Sequence, residues 1–395
     1  MRLNPASEFL SLSLSIPLSP LSLSLYTSPP PSLSSPVSLS GSAIKRIPLL
    51  LNRRAAPFFS PSFTVIKFVD IHDTHGNLQR QQAVYFSAEM SYRGVGFGGA
   101  DSPPSIQRET MTEIEGVPII SSVTQSWDQI RNFKARPDDV LIATYPKAGT
   151  TWMVEIVDCI MNDGDTERCK RSPTHDRAPF MELNPPKPFP SGLQQLASMA
   201  SPRLVKTHLP VQLVPQSFWE NDCKVIYVAR NAKDNLVSYY HFQHMNQGLP
   251  ETGSWEHYIS SFLSGQVPWG SWFDHVIGWW ESKAEHRVLY LFYEDLKEDP
   301  AREIERVARF LGKGLDQAVI DRITDHTSFS QMKENPMANY STLPAFIFNQ
   351  AVSPFMRKGT VGDWKQHFTV SQSERFDEEY RRRLAGTSLR FRTEL

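Results

Sequence analysis

The chain reads as α/β: a single domain with a central parallel sheet flanked by helices, preceded by a disordered N-terminal arm. Three observations predict this. From about residue 112 onward, short runs rich in Val, Ile, Leu or Tyr alternate with longer helix-like segments, and that alternation means parallel strands covered on both faces. One such run leads directly into YPKAGTTW, Tyr145 to Trp152, a strand-to-helix loop at the end of a sheet where ligands bind. The 395 residues, 40% of them hydrophobic, suffice for a large core.

Taken in order, residues 1–69 are dominated by Ser, Leu and Pro, as in SLSLSIPLSPLSLSLYTSPPPSLSSPVSLS. Proline clusters such as Pro29-Pro30-Pro31 block regular structure and no periodic face offers itself for burial, so this arm is expected to be disordered. Its Arg2, Arg53 and Arg54 and its scarcity of acids leave an organelle-targeting reading open beside that of an inert extension. Residues 70–111, Gly-rich near Arg93 to Gly99, read as linker, and Met111 is expected to lie close to the start of the folded domain at 112–395.

Within that domain, Val140 to Thr144, Arg203 to Thr207, Lys224 to Ala229 and Val288 to Tyr293 are the expected strands. Helices are expected over Thr151 to Met161, Ala232 to Met245, Ser271 to Ala284, Ala301 to Leu311 and Ser373 to Leu384.

Composition narrows the function. A net charge of -1 removes the global basic field that holds a protein on nucleic acid or an anionic membrane. No segment approaches the ~18 consecutive apolar residues of a membrane-spanning helix. Cys159, Cys169 and Cys223 follow neither a C-x-x-C nor a His/Cys metal spacing, which fits reduced thiols in a cytoplasmic protein with no metal.

Four stretches could carry chemistry. In YPKAGTTW the loop's N–H groups converge at a helix start, Gly149 admits a ligand close to the backbone, Thr150 and Thr151 add hydroxyls, and Lys147 adds charge. A P-loop places its lysine after the second glycine, whereas here it comes first. In RLVKTHLP, Lys206 and His208 alternate at a strand end and suit acid–base work on an anionic substrate. KVIYVARNAKDNLVSYYHF delivers Arg230 at a strand tip, with Asn231 as helix cap and Ser238 two turns further on. In PFMRKGTVGDW, Arg357, Lys358 and Gly359 form another anion nest. Each alone has a bland alternative: an ordinary turn, a surface tripeptide, core aromatics, a solvated loop. Together they describe two separated anion pockets, and hence a ligand with phosphate-like groups at both ends.

In order and at similar spacing, these four stretches resemble the signature blocks of the cytosolic sulfotransferases, family 1, and look most similar to its C-type members. LFYEDLKEDP, HTSF, ENPMANYS and the tail FRTEL extend the similarity from about residue 115 to Leu395. The resemblance implies a P-loop-like fold and transfer of a sulfuryl group from 3′-phosphoadenosine 5′-phosphosulfate (PAPS) to the hydroxyl of small phenolic or aromatic acceptors, without metal. By it, Lys147, Ala148, Gly149, Thr150 and Thr151 would hold the phosphosulfate and Trp152 would stack on adenine. Arg230, Ser238, Arg357, Lys358 and Gly359 would grip the 3′-phosphate, with Tyr293, Thr327, Phe329, Phe355 and Met356 near the nucleoside. His208 would be the catalytic base, aided by Lys147 and Lys206, and Phe180, Tyr240 and Phe242 would wall the acceptor pocket. Lys365, Thr369, Val370 and Glu374 match the family's dimer segment, which implies a homodimer. Ala148 stands where many relatives have serine, though C-type members resemble this chain there.

Two rivals are a P-loop kinase, which lacks here both a G-K-[ST] and an evident magnesium carboxylate, and a nucleotide-binding protein without catalysis, which would have no need of His208.

Overall fold

In the computed structural model, the residues described are 62–72, 78–89, 106–185 and 189–395. Most of the arm expected to be disordered lies outside them. Its end does not behave as expected: β1 (Ser62–His72) and β2 (Leu78–Glu89) pair as an antiparallel hairpin that crosses the 69/70 boundary between arm and linker. The reason is local, since β1 reads SFTVIKFVDIH, a run of β-branched and aromatic residues with no proline. The hairpin belongs to a unit separate from Gly99–Leu395.

The larger unit also begins before residue 112. The Arg108 guanidinium donates to the Leu249 carbonyl at 2.7 Å, and the Glu109 carboxylate accepts from the Ser121 hydroxyl and the Ser122 N–H. A small hairpin follows, β3 (Met111–Ile114) with β4 (Val117–Ile120), turned by Gly116 at φ 78°.

The central sheet has four parallel strands in the order β6-β5-β7-β8: β5 (Val140–Thr144), β6 (Leu204–Thr207), β7 (Lys224–Ala229) and β8 (Val288–Phe292). Alternation along each strand divides the core in two. Leu141, Ala143, Val225, Tyr227 and Tyr290 face one layer, with α2 (Ala232–Met245), α3 (Trp255–Ser264), α4 (Trp272–Ser282) and α7 (Val370–Arg383) contributing to it. Val140, Ile142, Ile226 and Val228 face the other, beneath α1 (Thr150–Met161), α5 (Pro300–Leu311) and α6 (Gln317–His326). The strands expected from sequence are therefore buried on both faces. Asp139 and Arg203, at the entries of β5 and β6, form a buried ion pair that holds the two strands in register.

The connection from β5 leads to one side of the sheet and that from β7 to the other. This makes the β5/β7 boundary a topological switch point, and the crevice at its carboxyl ends is the expected ligand site. Tyr293 corrects one boundary: β8 ends at Phe292, and Tyr293 opens a short helix to Glu298. Among the described residues, no helix is long and apolar enough to cross a membrane.

Candidate active site

The loop after β5 is held from outside. Tyr145 donates from its hydroxyl to the Gly270 carbonyl at 2.8 Å, and Asn235 donates to the Pro146 carbonyl at 2.7 Å. Lys147 and Gly149 both take positive φ, 69° and 117°, and a Cβ on Gly149 would stand 3.0 Å from the Tyr293 ring. Only glycine suits such a position cheaply. Helix α1 then begins without any side-chain cap, so its first turn offers N–H groups to an anion. Ala148, Thr150 and Thr151 are buried around this start.

Lys147 sits over two aromatic faces, its Nζ 3.9 Å from the centre of Phe355 and 4.5 Å from that of Phe242. Burial, and then the positive charges of Arg230 and Arg357, pull its pKa down to about 7. Arg230, at the tip of β7, reaches both loops: it donates to the Lys147 carbonyl at 3.3 Å and the Thr360 carbonyl at 3.1 Å, and its Nε is buried without a partner. Ser238, Phe242, Phe355 and Arg357 line one cleft with Lys147. The two anion pockets read separately from sequence are thus contiguous, because Arg230 bridges the segments that form them.

On the far side of this cleft, Arg357 and Lys358 both point at the buried Asp363 carboxylate. Gly359 has φ 66°, and a Cβ there would overlap the Phe329 ring. Trp152 meets Tyr293 edge-on, with ring centres 5.5 Å apart, and its Nε1 is buried and unpartnered. Met356 is half-buried beside Arg357. The Thr327 hydroxyl is engaged locally, donating to the Ile323 carbonyl at 2.7 Å.

At the tip of β6, the His208 Nδ1 lies 2.8 Å from the Thr144 carbonyl oxygen. A carbonyl only accepts, so Nδ1 carries the proton and Nε2 keeps its lone pair. Burial is the main cause that holds the imidazole pKa down at about 3, with the charges of Lys206 and Lys147 adding to it. Lys206 is buried, its Nζ 3.4 Å from the Tyr340 hydroxyl and 5.0 Å from the Phe180 ring centre. Phe180 packs edge-on against His208 at 4.8 Å.

Residues 137–388 match the family model described as "Sulfotransferase domain". Human Sulfotransferase 1C2 is 57% identical over 285 residues, covering 72% of this chain and 96% of that protein. The chain belongs to the sulfotransferase family. Rat Sulfotransferase 1 family member D1 is 53% identical over 295 residues, 75% of this chain and 100% of the relative. These relatives place the chain in family 1, as the resemblance in its motifs implies, with C-type members highly similar.

Among solved structures, retinol dehydratase in complex with retinol and PAP aligns with TM-score 0.64 at 27% identity, covering 72% of this chain and 92% of that one. Mouse sulfotransferase SULT7A1 complexed with PAP aligns with TM-score 0.59 at 30% identity, covering 70% and 95%. The fold is therefore the sulfotransferase α/β fold, and the chain is a sulfuryl-transfer enzyme.

Of the expected residues in this sulfotransferase, Lys147, Ser238, Phe242, Phe355 and Arg357 line one cleft, and Phe180, Lys206 and His208 cluster at the tip of β6. Tyr240 does not face the cleft: it packs against Trp255, His244 and Tyr258 with ring centres 5.0, 4.3 and 5.2 Å away. Two residues along a helix turn a side chain by about 200°, so Phe242 faces Lys147 while Tyr240 faces α3. Three residues escaped the sequence reading. Trp269 packs against both His208 and Phe180, Tyr340 sits at φ 59° beside Lys206, and Glu182 is buried behind His208. Tyr340 lies within the quoted ENPMANYS but had no role assigned to it, and the positive-φ turn at Trp269-Gly270 shows in sequence as a lone glycine after an aromatic.

Proposed function

We propose that this sulfotransferase transfers the sulfuryl group of PAPS to the hydroxyl of small phenolic acceptors, with His208 as general base. The carrying observation is the pinned imidazole: Nδ1–H is spent on the Thr144 carbonyl, so the free Nε2 is the atom able to take a proton. Phe180 and Trp269 flank it with aromatic surface, and Lys206, whose Nζ lies near the Tyr340 hydroxyl, adds a cation, which suits a flat ring carrying one ionisable hydroxyl.

The donor fits the residues present. Arg230 Nε and Trp152 Nε1 are buried without partners, and two glycines leave cradles that a Cβ would fill. Lys147, Ala148, Gly149, Thr150 and Thr151 would hold its phosphosulfate; Arg230, Ser238, Arg357, Lys358 and Gly359 would hold its 3′-phosphate. Trp152, Tyr293, Phe329, Phe355, Met356 and Thr327 would surround the nucleoside. When bound, the donor supplies an activated sulfuryl group for in-line transfer to the acceptor oxygen.

The chain's own part is electrostatic. Lys147 offers a cation where the leaving phosphate gains charge, and Lys206 a second at the transferring group. An anion between these lysines offsets the charges that depress His208, so the imidazole becomes a better base as the complex forms. Nε2 then accepts the proton of a phenol whose free pKa is about 10.

The same reading has two copies pair through Lys365, Thr369, Val370 and Glu374, all exposed. A cytoplasmic location goes with it, because the three buried free thiols suit a reducing compartment; subcellular fractionation checks this.

The test uses 4-nitrophenol and PAPS. His208→Ala is expected to lose turnover by about 10²–10⁴-fold while binding adenosine 3′,5′-bisphosphate (PAP) as the wild type does. Retained turnover would remove His208 from the role. Tight PAP binding by the wild type with no sulfate ester formed from any phenol would favour a binding protein instead.

A further inference from the structure

Glu182 is a carboxylate buried to 1% exposure, outside every motif that carries the reaction, yet it gathers three hydrogen bonds. Its Oε1 accepts from the His208 backbone N–H at 2.7 Å and from the Trp269 indole N–H at 3.2 Å. Its Oε2 accepts from the Thr207 hydroxyl at 2.9 Å, and the Thr207 oxygen in turn accepts from the Leu209 N–H at 3.0 Å. One side chain thus ties residues 207, 208 and 209, where the chain leaves β6, to a tryptophan in the turn before α4.

The opposite end of the His208 peptide is also held. His275 donates from Nε2 to the His208 carbonyl at 3.0 Å, its own Nδ1 accepting from the Tyr227 hydroxyl at 2.8 Å. With Thr144 on the ring, the residue is fixed at its N–H, its carbonyl and its imidazole. Of these, the Glu182 contact also sets the wall of the acceptor site. Trp269, held by the same oxygen, stands edge-on to His208 with ring centres 5.5 Å apart and stacks on Phe180 at 5.9 Å.

We propose that Glu182 is a positioning residue for sulfuryl transfer: it fixes the His208 main chain and the Trp269 ring together, so that Nε2 and the aromatic wall keep one geometry toward the acceptor hydroxyl. It touches no reacting atom. Burial of a carboxylate is costly unless it is well bonded, and three donors from the base and its neighbours, all aimed at this carboxylate, are a reason to keep one here. Removing it leaves the His208 and Trp269 N–H groups buried without an acceptor, and both segments relax. A displacement of about 1 Å at a catalytic group costs about 10²-fold in rate. Gln is the informative isostere. Its amide oxygen can take the place of Oε1 and its NH₂ can donate to the Thr207 oxygen.

The proposal rests on the reading of His208 as base, and the two fail separately. The full chain carrying E182A, E182D or E182Q is compared with wild type for kcat and KM toward 4-nitrophenol, PAP affinity by calorimetry, and thermal unfolding. E182A and E182D are expected to lose about 10²-fold in kcat, with PAP affinity within about twofold of wild type, and E182Q to recover to within about tenfold. E182D keeps the carboxyl group but withdraws it by one methylene, and it decides the matter alone should E182A fail to fold. Wild-type kcat in E182D, or PAP affinity falling in step with kcat in a folded variant, overturns the proposal. If H208A keeps its turnover, the base reading falls whatever the Glu182 variants do; if H208A is inactive and E182D fully active, only the positioning role falls.

Discussion

Lys147 gives the sharpest prediction: if it holds the donor as proposed, its electrostatics make donor binding a proton-linked event. In the ligand-free protein burial and the neighbouring Arg230 and Arg357 pull its pKa from 10.5 to about 7. The unfolded chain therefore binds that proton more tightly than the folded one between pH 7 and 10.5. The position's contribution to stability rises with pH through this window, and below it the charged lysine costs the ligand-free fold. A bound bisphosphate reverses the balance, since an anion beside Lys147 favours its charged form. At pH 8 a group with a pKa of about 7 is protonated in about one molecule in ten, so restoring it toward 10.5 takes up about 0.9 proton per PAP bound.

Glu182, which burial raises to about 7, also titrates close by, and the Lys147→Met variant separates its contribution from that of the lysine. His208, held at about 3, stays neutral even if the ligand returns it to its ordinary range, and the two arginines remain charged. The assay is titration calorimetry of PAP binding in Tris and in HEPES at pH 8, where the slope of observed enthalpy against buffer ionisation enthalpy counts protons. Lys147→Met, which keeps an apolar stem between Phe242 and Phe355, is expected to bind more weakly and to show no uptake. A wild-type uptake near zero, or one that survives in the methionine variant, would refute the electrostatic account of the cradle.

Two further outcomes follow from the same geometry. Gly359→Ala drives a Cβ into the Phe329 ring and should weaken PAP binding by tenfold or more, roughly the effect of about 1.4 kcal/mol of lost contact; Gly116→Ala, with nothing within 4 Å of its Cβ, costs only backbone strain of about 1–2 kcal/mol and should leave PAP affinity unchanged in calorimetry. Val370→Glu places a charge on a residue that is 76% exposed at the start of α7; sedimentation should show the proposed dimer dissociating while the thermal midpoint hardly moves, and a variant that stays dimeric would point to another interface.

What the sequence made legible, and what it hid, divides by range of contact. Val140 to Thr144, the loop after it, and the helix to Met161 could be read because each depends on neighbours within a few residues: β-branched runs, one glycine, one 3.6-residue period. Arg230 and the Asn231 cap were legible for the same reason, and the cap is formed, its side chain accepting from the Asp234 N–H. The β1–β2 hairpin was obscured differently, by a Ser/Pro-rich preface whose composition was extended past the point where VIKFV takes over. Tyr240 was misplaced because motif proximity says nothing about which way a helix faces its partner, and only α3, packed against it, decides that.

Glu182 is the extreme case. It stands 26 residues from His208 and 87 from Trp269, and nothing in MELN distinguishes a buried acceptor from a surface acid. The groups proposed to touch the reactants come as local motifs, since a strand tip and its loop must present them together. The groups that hold those motifs in place come from anywhere the fold returns the chain, so a sequence that announces its chemistry plainly can still conceal how that chemistry is aimed.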